Sequence, residues 1–488
     1  MINFGEWLPD QSALNSSGVT EAKNVVPALK GYKSFKSLSA LSGAATAKII
    51  GMFAGKDDDG NAALYAGDAG KLYRMSAADS SLTDKSKSGG YSTSGNVWKF
   101  AQFGETLIAT NYNDAPQTVT VGGASAFADL GGSPPKAKHI AVVRDQVMMA
   151  NVDDGVDGVK PYRVWWSGIN SAVSWTSGTN LSDYQDVADV GDCNGLVGGE
   201  HAIALFEKAL VRITFVGAPL VYQFDTLSKR GCAVPGSVAA VGSNLIFFLS
   251  DDGFYMLRGD EITPIGAQKI NHWFLDRFKA ADRANVVSGI DPINQNVIWA
   301  YPNLSSSDGE NNEILIYNYH LNRWSYAEQD CTAISQLFTS GYTLEQLDNI
   351  SNSIDALPAS LDDGVYMGGT FFFAGAKDKK VQSFTGDSLA ATIETGEFSV
   401  AAGKRSLINN VLPYVATKSE QEPTISASIG SRSRQNDQPT FSSSSTITTE
   451  GYCPTRASGA FHRVRLSVTG DFDVAQGVDV DIQQVGFR

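Results

Sequence analysis

The chain has 488 residues, 42% hydrophobic and 10% aromatic, which is enough apolar surface to fill a core and excludes wholesale disorder. Charged residues make up only 18%, and 38 basic against 52 acidic residues leave a net charge of −14. That balance excludes a surface built to grip the phosphate backbone of nucleic acid, which needs concentrated Lys and Arg.

Residues 1–45 read as an N-terminal arm or lead-in. Its apolar residues, Phe4, Trp7, Val25, Val26, Leu29, Tyr32 and Phe35, follow no clean period, so they must be covered by the rest of this protomer or by a neighbour. The start, MINFGEWLPDQS, has neither the basic nor the apolar region of a signal peptide. No stretch approaches the roughly 18 apolar residues that a membrane-spanning helix needs, so no membrane span is expected. The expectation is a protein made and folded in a reducing cytoplasm.

From 46 to 385 short strand-like runs recur, closed by glycine or Asp-Gly turns. Side chains alternate within them: in LVRITFVG, Val211, Ile213 and Phe215 share one face while Arg212 and Thr214 share the other. GSNLIFFLSDDGFYMLRGDEITPIG reads as three strands separated by turns at Asp251–Gly253 and Gly259–Asp260, and AALYAGDAGKLYRM repeats the theme. Units of three or four strands every 40–55 residues are the mark of a β-propeller, with room for about seven blades and irregular inserts. Residues 78–95 and the stretch TVGGASAFADLGGSPPK read as polar loops, AAVGS as a turn, and 303–312 as an exposed hairpin tip. Helical spacing appears in 268–278, through Ile270, Trp273, Phe274 and Phe278, and a second helix is suggested over 343–357.

After 386 the strands become longer and half polar. Val464, Leu466 and Val468 alternate with Arg463, Arg465 and Ser467, as in a sheet with one wet face. Residues 386–488 therefore read as a C-terminal β-rich domain, sandwich-like or a platform that closes the propeller or forms ring contacts. Residues 428–446 read as a long polar loop.

Chemistry is sparse. His139, His201, His272, His320 and His462 are scattered, and there is no H-E-x-x-H, no G-x-S-x-G and no phosphate loop. GDAGK at 67–71 reads as a hairpin turn. Cys193, Cys232, Cys331 and Cys453 are widely spaced, which points to buried free thiols and away from a disulfide framework or zinc knuckle. Acidic turns carry Asp57–Asp59, Asp153, Asp154 and Asp157, Asp251 and Asp252, and Asp362 and Asp363. Such oxygens can hold calcium, but aspartate also favours turns for its own hydrogen bonds. Trp165 and Trp166 lie on opposite faces of one strand with Trp175 and Tyr184 nearby, so one indole is expected at an interface or on a sugar-binding platform. No catalytic, cofactor-binding or metal-binding residue is assigned, no cofactor is implied, and the chain is not read as an enzyme.

The stretch W.PD.....G...A.N..P, here Trp7, Pro9, Asp10, Gly18, Ala22, Asn24 and Pro27, resembles the start of tail proteins of short-tailed bacteriophages. PYRVWWSGINSAVSW, the SDDGFY hairpin at 250–255 and NRWSY add to the likeness, which runs through about residue 330. The family is the β-propeller type of tail hub, or nozzle. The resemblance implies a virion protein of the tail, assembled in the host cytoplasm as a sixfold homo-oligomeric ring. Its implied partners are adaptor and portal-side ring proteins, tail fibres or tailspikes, a needle or plug, and double-stranded DNA that passes through the lumen without specific binding. An acidic lumen would let phosphates slide past. The alternative is a propeller that binds or hydrolyses glycans, which would need convergent carboxylates and exposed Trp on the axis.

Overall fold

A short strand with two apolar faces cannot cover both alone, and the computed structural model shows what covers them. It describes residues 1–14, 16–76, 79–338, 353, 371–400, 404–417 and 422–485. Among these, six separate four-stranded antiparallel sheets are present, and four consecutive strands begin a ten-stranded sheet. In chain order the seven units are blade 1 (51–84), blade 2 (99–129), blade 3 (136–186), blade 4 (193–228), blade 5 (239–264), blade 6 (287–327) and blade 7 (333–383). Blades 1 to 6 are built of consecutive hairpins, and the inner strand of blade 7 packs on that of blade 1, so the ring closes. The chain is an all-β protein with a β-propeller at its centre.

Among the described residues apolar clusters fill the seams between blades, and the largest continues into the C-terminal lobe. Met148, Val164 and Trp166 of blade 3, for example, meet Ala204, Phe206 and Ile213 of blade 4. Blade 7 meets blade 1 through Leu337, Ala374, Leu64 and Ala66. This is why both faces of a blade are apolar in sequence: each faces a neighbour, not water. Polar clamps cross the same seams. Asn151 Nδ2 donates to the Cys193 carbonyl at 3.0 Å, Asn194 Nδ2 to the Cys232 carbonyl at 2.9 Å, and Asn311 Nδ2 to the Cys331 carbonyl at 3.1 Å. Each thiol in turn donates to the carbonyl two residues on. All four cysteines are free and buried, and burial pushes the Cys232 thiol up to about 11.

The ends of the chain are sewn together. Ser39 and Ala40 pair with Ser383 and Gln382 and supply the outer strand of blade 7. Earlier residues join the C-terminal lobe. Val19–Lys23 sits between the outer strand of blade 6 and Ala391–Thr395, so the ten-stranded sheet runs from the propeller into the lobe. Val25–Ala28 and Gly31–Ser34 join a second sheet with Val474–Gln484, Ser406–Ala416 and Cys453–Gly459. The two sheets face each other across Ile408, Val411 and Val478 on one side and Ile429, Val464 and Leu466 on the other. The described residues of the 1–45 segment are thus integrated into the fold of their own chain.

Several sequence expectations change in detail. The loop read at 78–95 contains Leu82–Asp84, and the following polar stretch contains Ala128–Asp129; these are the outer strands of blades 1 and 2. These two outer strands are only two or three residues long and largely exposed, so they carry no apolar alternation. AAVGS contains Ala239–Val241, the inner strand of blade 5, and 428–446 begins inside the strand Thr424–Arg432. Residues 303–312 link two strands as a loop whose tip is exposed at Leu304, Ser305, Ser307 and Asp308 while Asn303, Ser306 and Asn311 are buried. The helix α1 covers Asn271–Arg277 and buries Phe274. Apart from Ser353, the second helix suggested at 343–357 and the turn at Asp362 and Asp363 lie outside the described residues.

Candidate functional site

The inner strands leave a cavity of about 320 Å³ on the propeller axis. Every blade or its lead-in contributes: Phe53, Lys99, His139, Asn194, Gly236, Ser288 and Ile334. Because strand residues alternate, an inner strand running along the axis turns only some side chains inward. The lining is unusual in charge. Lys99 and Lys138 are present and no Asp or Glu is. Neither ammonium has an ion-pair or hydrogen-bond partner among the described residues; Lys138 Nζ lies 5.0 Å from the centre of the Tyr112 ring. Lys99 faces the cavity while protein surrounds it, and that desolvation holds its pKa below the ordinary lysine range. His139 is 7% exposed. Burial, then the charges of Lys99 and Lys138, bring its pKa down to about 3, and its Nε2 has no hydrogen-bond partner.

The acidic turns do other work. Arg163, with its side chain 3% exposed, donates from Nε and Nη2 to the two oxygens of Asp186 at 2.6 and 3.0 Å. Its Nη1 donates to Asp154 at 2.5 Å and Asp157 at 2.8 Å, and the guanidinium lies 3.8 Å from the Tyr184 ring centre. Two of the three carboxylates considered for calcium are therefore neutralised by one arginine. Arg163 is the residue that the sequence reading left out, although it follows Asp154 by nine positions on the next strand. Asp57 accepts the Asn61 N–H at 2.7 Å, and Asp252 is paired with Arg230 and accepts the Tyr255 hydroxyl at 3.0 Å. In GDAGK, Asp68 accepts the Gly70 and Lys71 N–H groups at 2.8 and 2.7 Å, as a hairpin turn does. Among the described residues no three His, Cys, Asp or Glu converge in a metal-binding group.

The histidines are not brought together. His272 starts α1, His320 is exposed, and His201 stands beside Arg212 and Glu200. His462 lies between Ser406 and Ser431, with its ring nitrogens 2.8 and 2.9 Å from their hydroxyls, but it is 0% exposed and no substrate could reach it. Neither Trp165 nor Trp166 is exposed. Trp166 is 2% exposed and donates to the Leu181 carbonyl, while half-buried Trp165 packs on Tyr184 at 5.0 Å. Both indoles lie at blade-to-blade interfaces, Trp166 in the seam with blade 4 and Trp165 against the seam with blade 2, and neither forms an exposed sugar-binding platform.

The residues behind the sequence resemblance form a seam between propeller and lobe. Trp7 is 0% exposed, stacks on Tyr326 at 5.2 Å and meets Trp273 edge-on at 4.7 Å. Asp10 accepts the His272 and Trp273 N–H groups at 2.9 and 2.8 Å, capping α1 from a distant part of the chain. Ala22 is fully buried opposite Ile393. Asn24, at φ 57°, donates to the Ala390 carbonyl at 2.8 Å and accepts the Glu328 N–H at 2.9 Å. Asparagine tolerates that left-handed backbone better than most residues.

No protein-family model matches the chain, and no curated protein matches it. Solved structures match it at low similarity. The YCF48 protein bound to a D1 peptide is 9% identical with a TM-score of 0.39, covering 72% of this chain and 96% of that one. The computationally designed Ika8 protein is 10% identical with a TM-score of 0.38, covering 72% and 99%. The extracellular domain of a hybrid two-component system protein from B. thetaiotaomicron is 10% identical with a TM-score of 0.41, covering 88% of this chain and 58% of that one. Likeness of this degree says nothing about activity, and the propeller assignment stands on the strand order above.

Proposed function

We propose that the chain is a structural subunit of a short-tailed bacteriophage tail, one protomer of a hub or nozzle ring around the DNA exit channel that also anchors fibres or spikes. The observation that carries the reading is the seam. Trp7, Asp10, Ala22 and Asn24, four of the residues behind the resemblance, all join propeller to lobe, and none faces a cavity as a catalytic group would. A continuous sheet from blade 6 into the lobe makes a stiff body suited to bearing load within a ring. The net charge of −14 suits a wall past which DNA slides. The axial cavity of one propeller is a separate feature from that ring lumen.

The test is electron microscopy of the purified full chain, alone and mixed with its adaptor ring, together with reconstruction of the intact particle. A closed ring at the tail, with this propeller around the lumen, is expected. A chain absent from particles, monomeric under all those conditions and able to cleave polysaccharide would overturn the reading.

A further inference from the structure

From the axial cavity we infer a binding site for a small organic anion, a carboxylate or phosphate carried on an apolar body. Three independent features converge there. Lys99 and Lys138 line the cavity without a carboxylate among the lining residues and without an ion-pair partner among the described residues. Buried charges elsewhere in this chain are matched: Arg163 by three aspartates, Glu394 by Arg463 and Arg465, Glu397 by Arg432. Lys99 and Lys138 are half-exposed, so water solvates them in the open cavity; what sets them apart is that two cations share a lining with no carboxylate. Second, His139 is nine-tenths buried, yet its Nε2 has no partner and the residue belongs to the cavity wall. Buried polar atoms are almost always satisfied; Nε2 has almost no accessible surface as the ring stands, so a ligand atom or water would meet it only after the ring turns toward the cavity. Third, Phe53, Trp98 and Phe100 supply an apolar wall, and the volume of about 320 Å³ falls at the lower end of small-ligand sites. The lysine charges would hold the anionic group and the aromatic wall its body. Asp153 and Asp192, which act on Tyr112, are not among the lining residues.

This inference does not depend on the ring reading. Calorimetry on the full chain with benzoate, phenyl phosphate and benzamide tests it. The three share an aromatic body and differ in charge, and comparing the two anions separates carboxylate from phosphate. At least one anion should bind with unit stoichiometry, about tenfold or more tightly than benzamide, and Lys99→Met should weaken it by about tenfold. Benzamide binding as tightly as both anions would overturn the inference. So would failure of both anions to bind at millimolar concentration, or an unchanged affinity in a Lys99→Met chain whose circular dichroism matches the parent. If that variant does not fold, the ratio of anion to amide affinity in the parent decides.

Discussion

The propeller and the C-terminal lobe are both antiparallel β-structure, yet their strands find one another in opposite ways. In blade 5 four strands follow one another within residues 239–264, each pairing with the next. In the lobe Ile2 pairs with Val478, Val19 with Thr395 and Tyr32 with Ala475. Local hairpins close cheaply, whereas pairings across almost the whole chain must wait until much of it is ordered. The strands of blades 1 to 6 are thus paired locally, whereas blade 7 and the two lobe sheets are completed only when the N-terminal segment joins them. The seam around Trp7 is where those two modes join.

The sharpest way to break this contrast is Trp7→Ala. Emptying a fully buried indole site should cost about 3–5 kcal/mol, and because the seam is shared, lobe and propeller should unfold together at lower denaturant concentration. Separate transitions for the two parts would show that the seam does not couple them. Arg163→Met is a fault confined to blade 3. It strands Asp154 in a buried position and should cost about 3–5 kcal/mol in urea unfolding, without loosening the contacts of the N-terminal segment as read by limited proteolysis.

Acid should act from the axis. The folded-state pKa of His139, about 3, lies below the ordinary value of about 6.5. Between those values the unfolded chain holds a proton that the folded chain refuses, so stability is full above about pH 6.5 and is lost as pH falls towards about 3. His139→Gln should flatten that limb of the melting-temperature curve. An unchanged slope would mean that the imidazole is hydrated and free to protonate beside Lys99 and Lys138.

Smaller effects should follow at the seam's edge and at the surface. Asp10→Ala removes the acceptor for two N–H groups of α1 and should cost about 1 kcal/mol, with Asp10→Asn recovering most of it in the same denaturation assay. Lys48→Ala breaks an ion pair with Glu310 whose side chains are 42% and 41% exposed. Its cost should stay below about 1 kcal/mol and vanish in high salt.

The sequence alone determined the blades, because a period of two closed by glycine and aspartate turns is a local property of each run. Val211 and Ile213 are buried as their alternation requires, and so are Val464, Leu466 and Val468 in the lobe. It also marked Trp7 and its neighbours as residues in need of cover. Only the tertiary structure decided what covers them, because their partners lie hundreds of positions away. The same distance hid the axial cavity. Lys99, Lys138 and His139 sit on two different blades and become neighbours only when seven inner strands close around one axis. The Arg163 cluster was hidden for a related reason: side chains from successive strands meet only once the blade has paired, and a run of aspartates looks the same in sequence whether an arginine or a cation will face it.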